Sequence, residues 1–208
     1  MSDIGGTWAG THSFAAPRLI SATTVDEVQD AVRAGGRVRA LGTRHSFHDI
    51  ADTTGTLITV TGIEPAPVLD EGRRTVTVGA GTAYGVLAPW LQARGWALHN
   101  MGSLPHISMG GAIATGTHGS GARNGALSTA VESLEYVGAD GDLHHVTRGD
   151  TEFPGQVVAL GAYGITTRLT LSVQPTYDVR QDIYYGLTWD ALLDNLDQIL
   201  TAAYSVSV

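Results

Sequence analysis

Two stretches decide how this chain is interpreted: residues 41–50, LGTRHSFHDI, and residues 100–121, NMGSLPHISMGGAIATGTHGSG. The first continues an alternating, strand-like segment into a turn with a glycine, hydroxyl side chains and an imidazole. From residue 101 onward the second has six glycines, several Ser and Thr residues and no Asp, Glu, Arg or Lys. Glycine permits close backbone approach, and successive N–H groups can converge on an anion. We therefore predict a neutral cradle that suits the pyrophosphate of a dinucleotide.

Simpler interpretations of the same residues stay open at this point. A glycine-rich run also occurs as a cluster of turns or as tight packing, and a single histidine such as His45 is commonly a satisfied turn or core residue. His144 and His145 are adjacent in an alternating segment, so their side chains point to opposite faces of a strand. No metal site is predicted.

Composition excludes several classes of function. All 12 basic residues are Arg, and 20 acidic residues give a formal net charge of -8, which argues against a nucleic-acid or anionic-membrane surface. The sequence has no Lys and no Cys, so Schiff-base lysines, thiol nucleophiles, disulfides and thiolate metal sites are excluded. No apolar run approaches the roughly 18 residues of a membrane span, and residues 1–10 lack the apolar region of a signal peptide. We expect a soluble, cytoplasmic protein.

The hydrophobic periodicity predicts a mixture of strands and helices. Thr24 and Glu27 have capping-box spacing at the start of a helix, and an Asp-Gly turn between apolar runs predicts a hairpin. The predicted strands are 17–21, 37–41, 57–60, 68–69, 75–78, 96–98, 131–138, 143–147, 165–173 and 182–186, with a strand-like end at 204–208. The predicted helices are 24–34, 83–94 with Thr82 as its cap, 152–160 and 189–203. Residues 101–121 are predicted to be poor helix and poor strand.

The two stretches, in this order and at this separation, resemble the FAD-binding domain of the vanillyl-alcohol oxidase family. Within that family the sequence is most similar to the bacterial alditol (xylitol or sorbitol) oxidases, with the aldonolactone oxidases as more distant relatives. The similarity extends from Trp8 to Ser207. It implies an α+β, two-subdomain FAD-binding fold, here residues 1–175, with only the beginning of a truncated substrate-binding cap in residues 176–208.

The resemblance also implies a reaction and a set of site residues. The terminal CH–OH of a sugar alcohol would transfer a hydride to flavin N5, and O2 would reoxidise the flavin to give H2O2. FAD would be bound covalently through His45, and Ser103 would lie beside the substrate as the one catalytic residue assigned. The expected cofactor-binding residues are Ala40, Leu41, Gly42, Thr43, Arg44, His45, Ser46, Ser103, Ser108, Gly111, Thr115, Gly116, Thr117, His118 and Ile165.

Three alternatives accompany this expectation. Members of the family are about twice as long, and the base and substrate-orienting residues of the family lie beyond Val208, so no general base is named. The chain could thus be a cofactor-binding half without activity alone, joined by a second polypeptide that carries the cap. It could be a related aldonolactone oxidase or dehydrogenase, or a binding module without flavin.

Overall fold

The computed structural model describes residues 4–63 and 65–208 of the chain. The strands are β1 (Arg18–Ser21), β2 (Val38–Ala40), β3 (Thr56–Thr59), β4 (Val68–Asp70), β5 (Thr75–Gly79), β6 (Trp96–Ala97), β7 (Val131–Val137), β8 (Leu143–Thr147), β9 (Ile165–Ser172) and β10 (Gln174–Pro175). The helices are α1 (Val25–Arg33), α2 (Tyr84–Gln92), α3 (Met109–Ala114), α4 (Phe153–Val157), α5 (Trp189–Asp194) and α6 (Leu196–Leu200). The predicted α+β class is confirmed.

A parallel sheet of three strands is formed in the order β1-β3-β2. Helix α1 connects β1 to β2, and β3 lies between these two strands. The predicted start of α1 is confirmed, since the Thr24 hydroxyl accepts the Glu27 N–H at 3.2 Å. The Glu27 carboxylate turns back to the Thr23 N–H at 2.7 Å, and this hydrogen bond holds the pKa of Glu27 below its usual value. The cap therefore satisfies backbone donors at the first turn.

An antiparallel sheet of five strands has the order β4-β5-β9-β7-β8. The predicted hairpin is formed by β7 and β8, with Val137 opposite Leu143. Strand β9 alternates between buried and less buried positions, as its sequence predicted, and its residues Leu169 and Leu171 are buried. Helices α2 and α3 contribute Leu87, Leu91 and Met109 to the same core, all of them without solvent exposure. Each such side chain stabilises the fold by about 1.5–3 kcal/mol through burial.

The start of α2 and the interior of residues 101–121 differ from expectation. Ala83, not Thr82, is the residue before α2, and no side chain caps that helix. The Thr82 carbonyl instead accepts the Met109 N–H at 2.9 Å, which fixes the start of α3. The prediction that residues 101–121 would not form a helix is wrong for Met109–Ala114. Burial of Met109 and Ile113 in the core outweighs the low helix propensity of the adjacent glycines.

Residues 176–208 depart most from the sequence predictions. No strand is formed at 182–186 or at 204–208, and the predicted helix 189–203 is divided into α5 and α6 at Asn195. The Asn195 side chain donates to the Ala191 carbonyl at 2.9 Å, a local bond that competes with helix continuation. Within the described part of this segment, no neighbouring strand offers a partner for pairing. Alternation alone therefore did not produce a strand here.

None of the helices in residues 4–63 and 65–208 combines the length and apolar character needed to cross a lipid bilayer.

Candidate functional site

A cavity of about 210 Å³ lies between the loop after β2, helix α3 and the five-stranded sheet. Every predicted site residue from 40 to 46 lines it, together with four of the predicted site residues of the second stretch. These residues are Ala40, Leu41, Gly42, Thr43, Arg44, His45, Ser46, Ser108, Gly111, Thr115 and Thr117. The structure therefore brings together two segments that lie more than sixty positions apart, as in the pair Thr43 and Ser108.

Backbone donors of the loop after β2 are free to bind a ligand. The Leu41 N–H donates to the Ile58 carbonyl at 2.8 Å, which ends the pairing of this strand with β3. Within the described chain, the N–H groups from Gly42 to Ser46 then donate to no protein acceptor. Arg44 has a φ of +66°, a conformation that bends successive N–H groups toward one side. Such a row of donors fits the oxygens of a pyrophosphate.

The two segments pack closely, and little room is left for a side chain at Gly42. The Thr43 hydroxyl accepts the Ser108 N–H at 3.1 Å. A Cβ added to Gly42 would lie 3.1 Å from Ser108 Oγ and 3.6 Å from Gly111 Cα. Gly110 donates its N–H to the Ala80 carbonyl at 2.8 Å, so the start of α3 is fixed on the other side as well. The cradle is thus set by backbone contacts before any ligand binds.

Positive charge surrounds this row of donors. Arg39 and Arg44 line the cavity, whereas no Asp or Glu of residues 4–63 and 65–208 does. Arg39 donates to the Leu160 carbonyl at 3.2 Å and also to the Ile50 carbonyl, and Arg44 donates to the Ile4 carbonyl at 2.7 Å. These bonds satisfy the guanidinium donors partly and leave their charge in place. An anionic ligand is favoured over a cationic one.

Four predicted site residues do not line the cavity. Ser103 lies exposed in the loop before α3, and Gly116 follows α3 with a φ of +66°. His118 is exposed and its Nδ1 donates to the Gly119 carbonyl at 2.8 Å. Ile165 is buried in the core at 4% exposure, while its neighbours Gly164 and Thr166 do line the cavity.

Sequence reasoning missed the far wall of the cavity. Among the additional lining residues are Arg39, Val60, Gly81, Tyr136, Gln156, Leu160, Gly161 and Gly164. Gln156 donates to the Tyr136 hydroxyl at 3.1 Å, and its Oε1 atom is buried without a partner. The alternation of β9 identifies which of its residues face inward, whereas the burial of β7 does not alternate. No local pattern shows that this face of the sheet meets the loop after β2.

His45 is the most unusual side chain of the site. Its Nε2 lies 2.8 Å from Nε2 of His106, its Nδ1 lies 3.2 Å from Thr43 Oγ1, and the Trp8 ring stacks on it with centroids 5.5 Å apart. Burial lowers the pKa of His45, the charge that His106 carries when protonated lowers this pKa further, and a hydrogen bond with the Thr43 backbone opposes both effects. The imidazole is therefore neutral at neutral pH, and one ring nitrogen has a lone pair to offer.

No metal site accompanies this cavity in the described part of the chain. Across residues 4–63 and 65–208, no group of three or more His, Asp or Glu side chains is placed to bind a metal ion. The site consists of backbone donors, small hydroxyl residues, two arginines and the His45 cluster.

Comparison with known proteins assigns the fold and the cradle to a family. Residues 16–147 match the FAD binding domain family, and the chain belongs to this family. An alditol oxidase from Streptomyces sp. is 39% identical over all of this chain and 50% of its own length. An L-gulono-1,4-lactone dehydrogenase from Mycobacterium tuberculosis is 36% identical over 87% of this chain and 43% of its own length. An L-gulonolactone oxidase from Bos taurus is 31% identical over 93% of this chain and 45% of its own length.

The chain spans about half the length of the curated relatives it matches. These relatives include one named for a sugar alcohol, the alditol oxidase, and others named for sugar lactones. The resemblance expected from residues 41–50 and 100–121 is confirmed at the level of the family.

Proposed function

We propose that this chain is the FAD-binding part of an oxidase that acts on sugar alcohols such as xylitol or sorbitol. The observation that carries this proposal is the row of N–H groups from Gly42 to Ser46, which donate to no acceptor in the described part of the chain and lie in a cavity that no described Asp or Glu lines. When bound, FAD supplies a hydride acceptor at N5 and passes the two electrons to O2, which gives H2O2. The relative with the sugar-alcohol name matches the whole of this chain.

Different residues of the chain would contact different parts of FAD and the substrate. The backbone from Ala40 to Ser46 would hold the pyrophosphate, and Ser108, Gly111 and residues 115–118, in α3 and on either side of it, would support it. Ile165 would meet the adenine end through its backbone. Ser103 would approach the substrate from its exposed loop. No residue of the chain is assigned as the general base.

Residues 1–175 would form the FAD-binding domain, and residues 176–208 the beginning of a cap. Support comes from exposed aromatic side chains in the second range, with Tyr184 at 87%, Tyr185 at 91% and Trp189 at 77% exposure. Exposed apolar surface of this kind is typical of a region that contacts another part of a protein or a ligand. The segment nevertheless has fixed points, because the Tyr204 hydroxyl donates to the His99 carbonyl at 2.7 Å.

Covalent attachment of FAD through His45 is part of the proposal. The neutral imidazole lines the cavity and has a lone pair for bonding to a ring methyl carbon. The visible spectrum of the purified chain, taken after incubation with FAD and again after acid precipitation, tests it. We expect yellow colour that remains with the precipitate. In His45→Ala, FAD should bind but leave in acid, and acid-stable flavin in that variant would exclude His45.

The substrate is tested on the flavin-loaded chain. Xylitol, sorbitol and L-gulono-1,4-lactone are each supplied in air, with peroxide as one readout and reduction of an artificial dye as the other. Peroxide from the polyols supports the proposal, and turnover of the lactone alone favours an aldonolactone oxidase. Dye reduction without peroxide indicates a dehydrogenase. Bound FAD without turnover of any of the three indicates a cofactor-binding half that is inactive alone.

A further inference from the structure

A pair of polar side chains lies within the apolar far wall of the cavity. Nε2 of Gln156 donates to the Tyr136 hydroxyl at 3.1 Å, whereas Oε1 of Gln156 is buried and accepts no hydrogen bond from the described chain. Leu134, Val157 and Leu169 line the same cavity and are at most 6% exposed. A buried carbonyl oxygen without a partner is costly, and an N–H group of a ligand would satisfy it.

Packing fixes the position of both side chains. The Tyr136 ring stacks on the His144 ring, with centroids 5.3 Å apart and an interplanar angle of 21°. At the start of β9, a Cβ on Gly164 would lie 3.0 Å from Tyr136 Cδ2, so the backbone there packs directly against the ring. Gln156 belongs to α4, which Phe153 anchors in the core at 6% exposure. The pair is therefore in place before a ligand binds.

The chemistry of the pair matches one part of FAD. Because the Tyr136 hydroxyl oxygen accepts from Gln156, its hydrogen is available to a ligand, and in residues 4–63 and 65–208 it donates to no protein acceptor. One acceptor and one donor thus lie side by side in an apolar wall, as in sites that bind a flat heterocycle. Adenine presents an amino group beside a ring nitrogen acceptor. Attachment through His45 would place the flavin ring at the loop after β2, which leaves this wall to adenine.

We propose that Gln156 and Tyr136 recognise the adenine base of the cofactor: Gln156 Oε1 accepts an N–H of the adenine amino group, and the Tyr136 hydroxyl donates to the ring nitrogen beside it. The inference rests on the proposed binding of FAD. It adds side-chain contacts to the backbone contact expected at Ile165. Both residues bind the cofactor and take no part in hydride transfer.

The chain offers matched variants for a test. Gln156→Leu removes the amide at similar size, and Tyr136→Phe removes only the hydroxyl. Gln198→Leu is the control, because Gln198 is exposed on α6 and does not line the cavity. All proteins, including the reference chain, also carry His45→Ala, so that flavin stays dissociable and can be removed by dialysis. Circular dichroism establishes that each is folded.

The first measurement follows the side-chain amide signals of Gln156 in 1H–15N correlation spectra, identified by their absence from Gln156→Leu. We expect these signals to shift when FAD or ADP is added and to stay in place with FMN, which lacks the adenosine half. The Gln198 signals should not shift with any of the three. Unshifted Gln156 signals in a sample whose other signals report bound FAD would overturn the inference. No spectral change at all with FAD would refute the proposed function together with the inference.

The second measurement is the affinity for FAD and FMN by fluorescence titration, with urea unfolding of the flavin-free proteins beside it. In Gln156→Leu, the affinity for FAD should fall about tenfold and in Tyr136→Phe about fivefold, each the effect of about one hydrogen bond, with the affinity for FMN unchanged. The stability of flavin-free Gln156→Leu should not fall, because the variant removes an unpaired buried oxygen.

Two results of the titrations would overturn the inference while leaving FAD binding intact. One is an affinity of Gln156→Leu for FAD equal to that of the reference chain. The other is an equal loss of affinity for FAD and FMN together with a lower urea midpoint, which would show that Gln156 only supports the fold. Gln198→Leu should match the reference chain in every measurement.

Discussion

Replacing Asp52 by Asn should destabilise the chain strongly, because this carboxylate accepts hydrogen bonds from three residues of the segment 12–16, and Phe14 of that segment lines the cavity. Asp52 Oδ2 accepts His12 Nε2 at 2.9 Å and the Ala15 N–H at 2.7 Å. Oδ1 accepts the Ala16 N–H at 3.3 Å and the Thr53 N–H at 2.8 Å. The side chain of Asp52 is only 10% exposed, so water replaces few of these bonds.

The expected loss of stability follows from the hydrogen bonds that the two carboxylate oxygens of Asp52 accept. Asn keeps one of them and presents an NH2 group to the donors of the other, so two of the four bonds are lost. Hydrogen bonds to a charged group contribute about 1.5–3 kcal/mol each, and we expect a loss of about 3 kcal/mol in the free energy of unfolding at pH 7. That is a large share of the roughly 5–15 kcal/mol available to a folded domain.

The loss should depend on pH. Burial raises the pKa of Asp52, but hydrogen bonds from Ala15, His12, Thr53 and Ala16 outweigh it and hold this pKa below its ordinary value. A carboxyl group with a lowered folded-state pKa stabilises the protein above its unfolded pKa of about 3.9, and this contribution is lost as the pH falls through the folded value. The difference between wild type and Asp52→Asn should therefore be full at pH 7 and shrink below about pH 4.

Urea unfolding followed by circular dichroism, at pH 7 and at several lower values, measures this difference. Asp49→Asn is the control, because that neighbouring side chain is 76% exposed and its nearest contact with an ionisable side chain is with His48, at 3.6 Å. Its substitution should change stability by less than about 0.5 kcal/mol. A loss below about 1 kcal/mol in Asp52→Asn, or a difference that stays constant down to pH 3, would refute this account of the carboxylate.

Three further changes test the core and the cradle. Leu87→Ala removes a side chain with no solvent exposure and should cost about 2–5 kcal/mol in urea unfolding; a loss under 1 kcal/mol would mean that the site collapses freely. Gly81→Ala places a Cβ 2.4 Å from the Val60 carbonyl oxygen, so the affinity for FAD, measured by fluorescence titration, should fall. Gly155→Ala is the control, because its Cβ meets only Tyr163 Oη at 3.6 Å, and it should leave the affinity for FAD unchanged. Gly111→Val brings a branched side chain to a position where Cβ already lies 3.3 Å from Ser108 Oγ; FAD affinity should fall about tenfold, and equal affinity would remove Gly111 from the cradle.

Local patterns predicted those elements whose signals lie within a few residues. Helix α1 has its cap in Thr24 and Glu27, the hairpin of β7 and β8 has its turn in residues 138–142, and β9 has its alternation. The residues of the first stretch were assigned to the cofactor site by the family resemblance, and the structure places all of them along one cavity.

Features that depend on distant contacts were not accessible from sequence. Arg39 reaches the Leu160 carbonyl across 121 positions, and His45 reaches His106 across 61. Helix α3 forms because Met109 and Ile113 enter a core built by other elements. Residues 182–186 have the alternating sequence of a strand, but they form none, because no strand lies beside them in the described structure.

The strand order β4-β5-β9-β7-β8 affects the order in which the sheet can form during folding. Strand β9 is central in the sheet, yet it follows both of its neighbouring strands in the sequence. Val76 of β5 pairs with Leu171 of β9, and Leu134 of β7 pairs with Leu169 of β9. During synthesis, the pairs β4-β5 and β7-β8 emerge with open edges, and β9 can join them only after about 170 residues have been made. This late pairing closes long loops, so it is slow and exposes apolar strands to aggregation. Because Gly164 and Thr166 line the cavity at the start of that same strand, the binding site comes into existence in the step that completes the core.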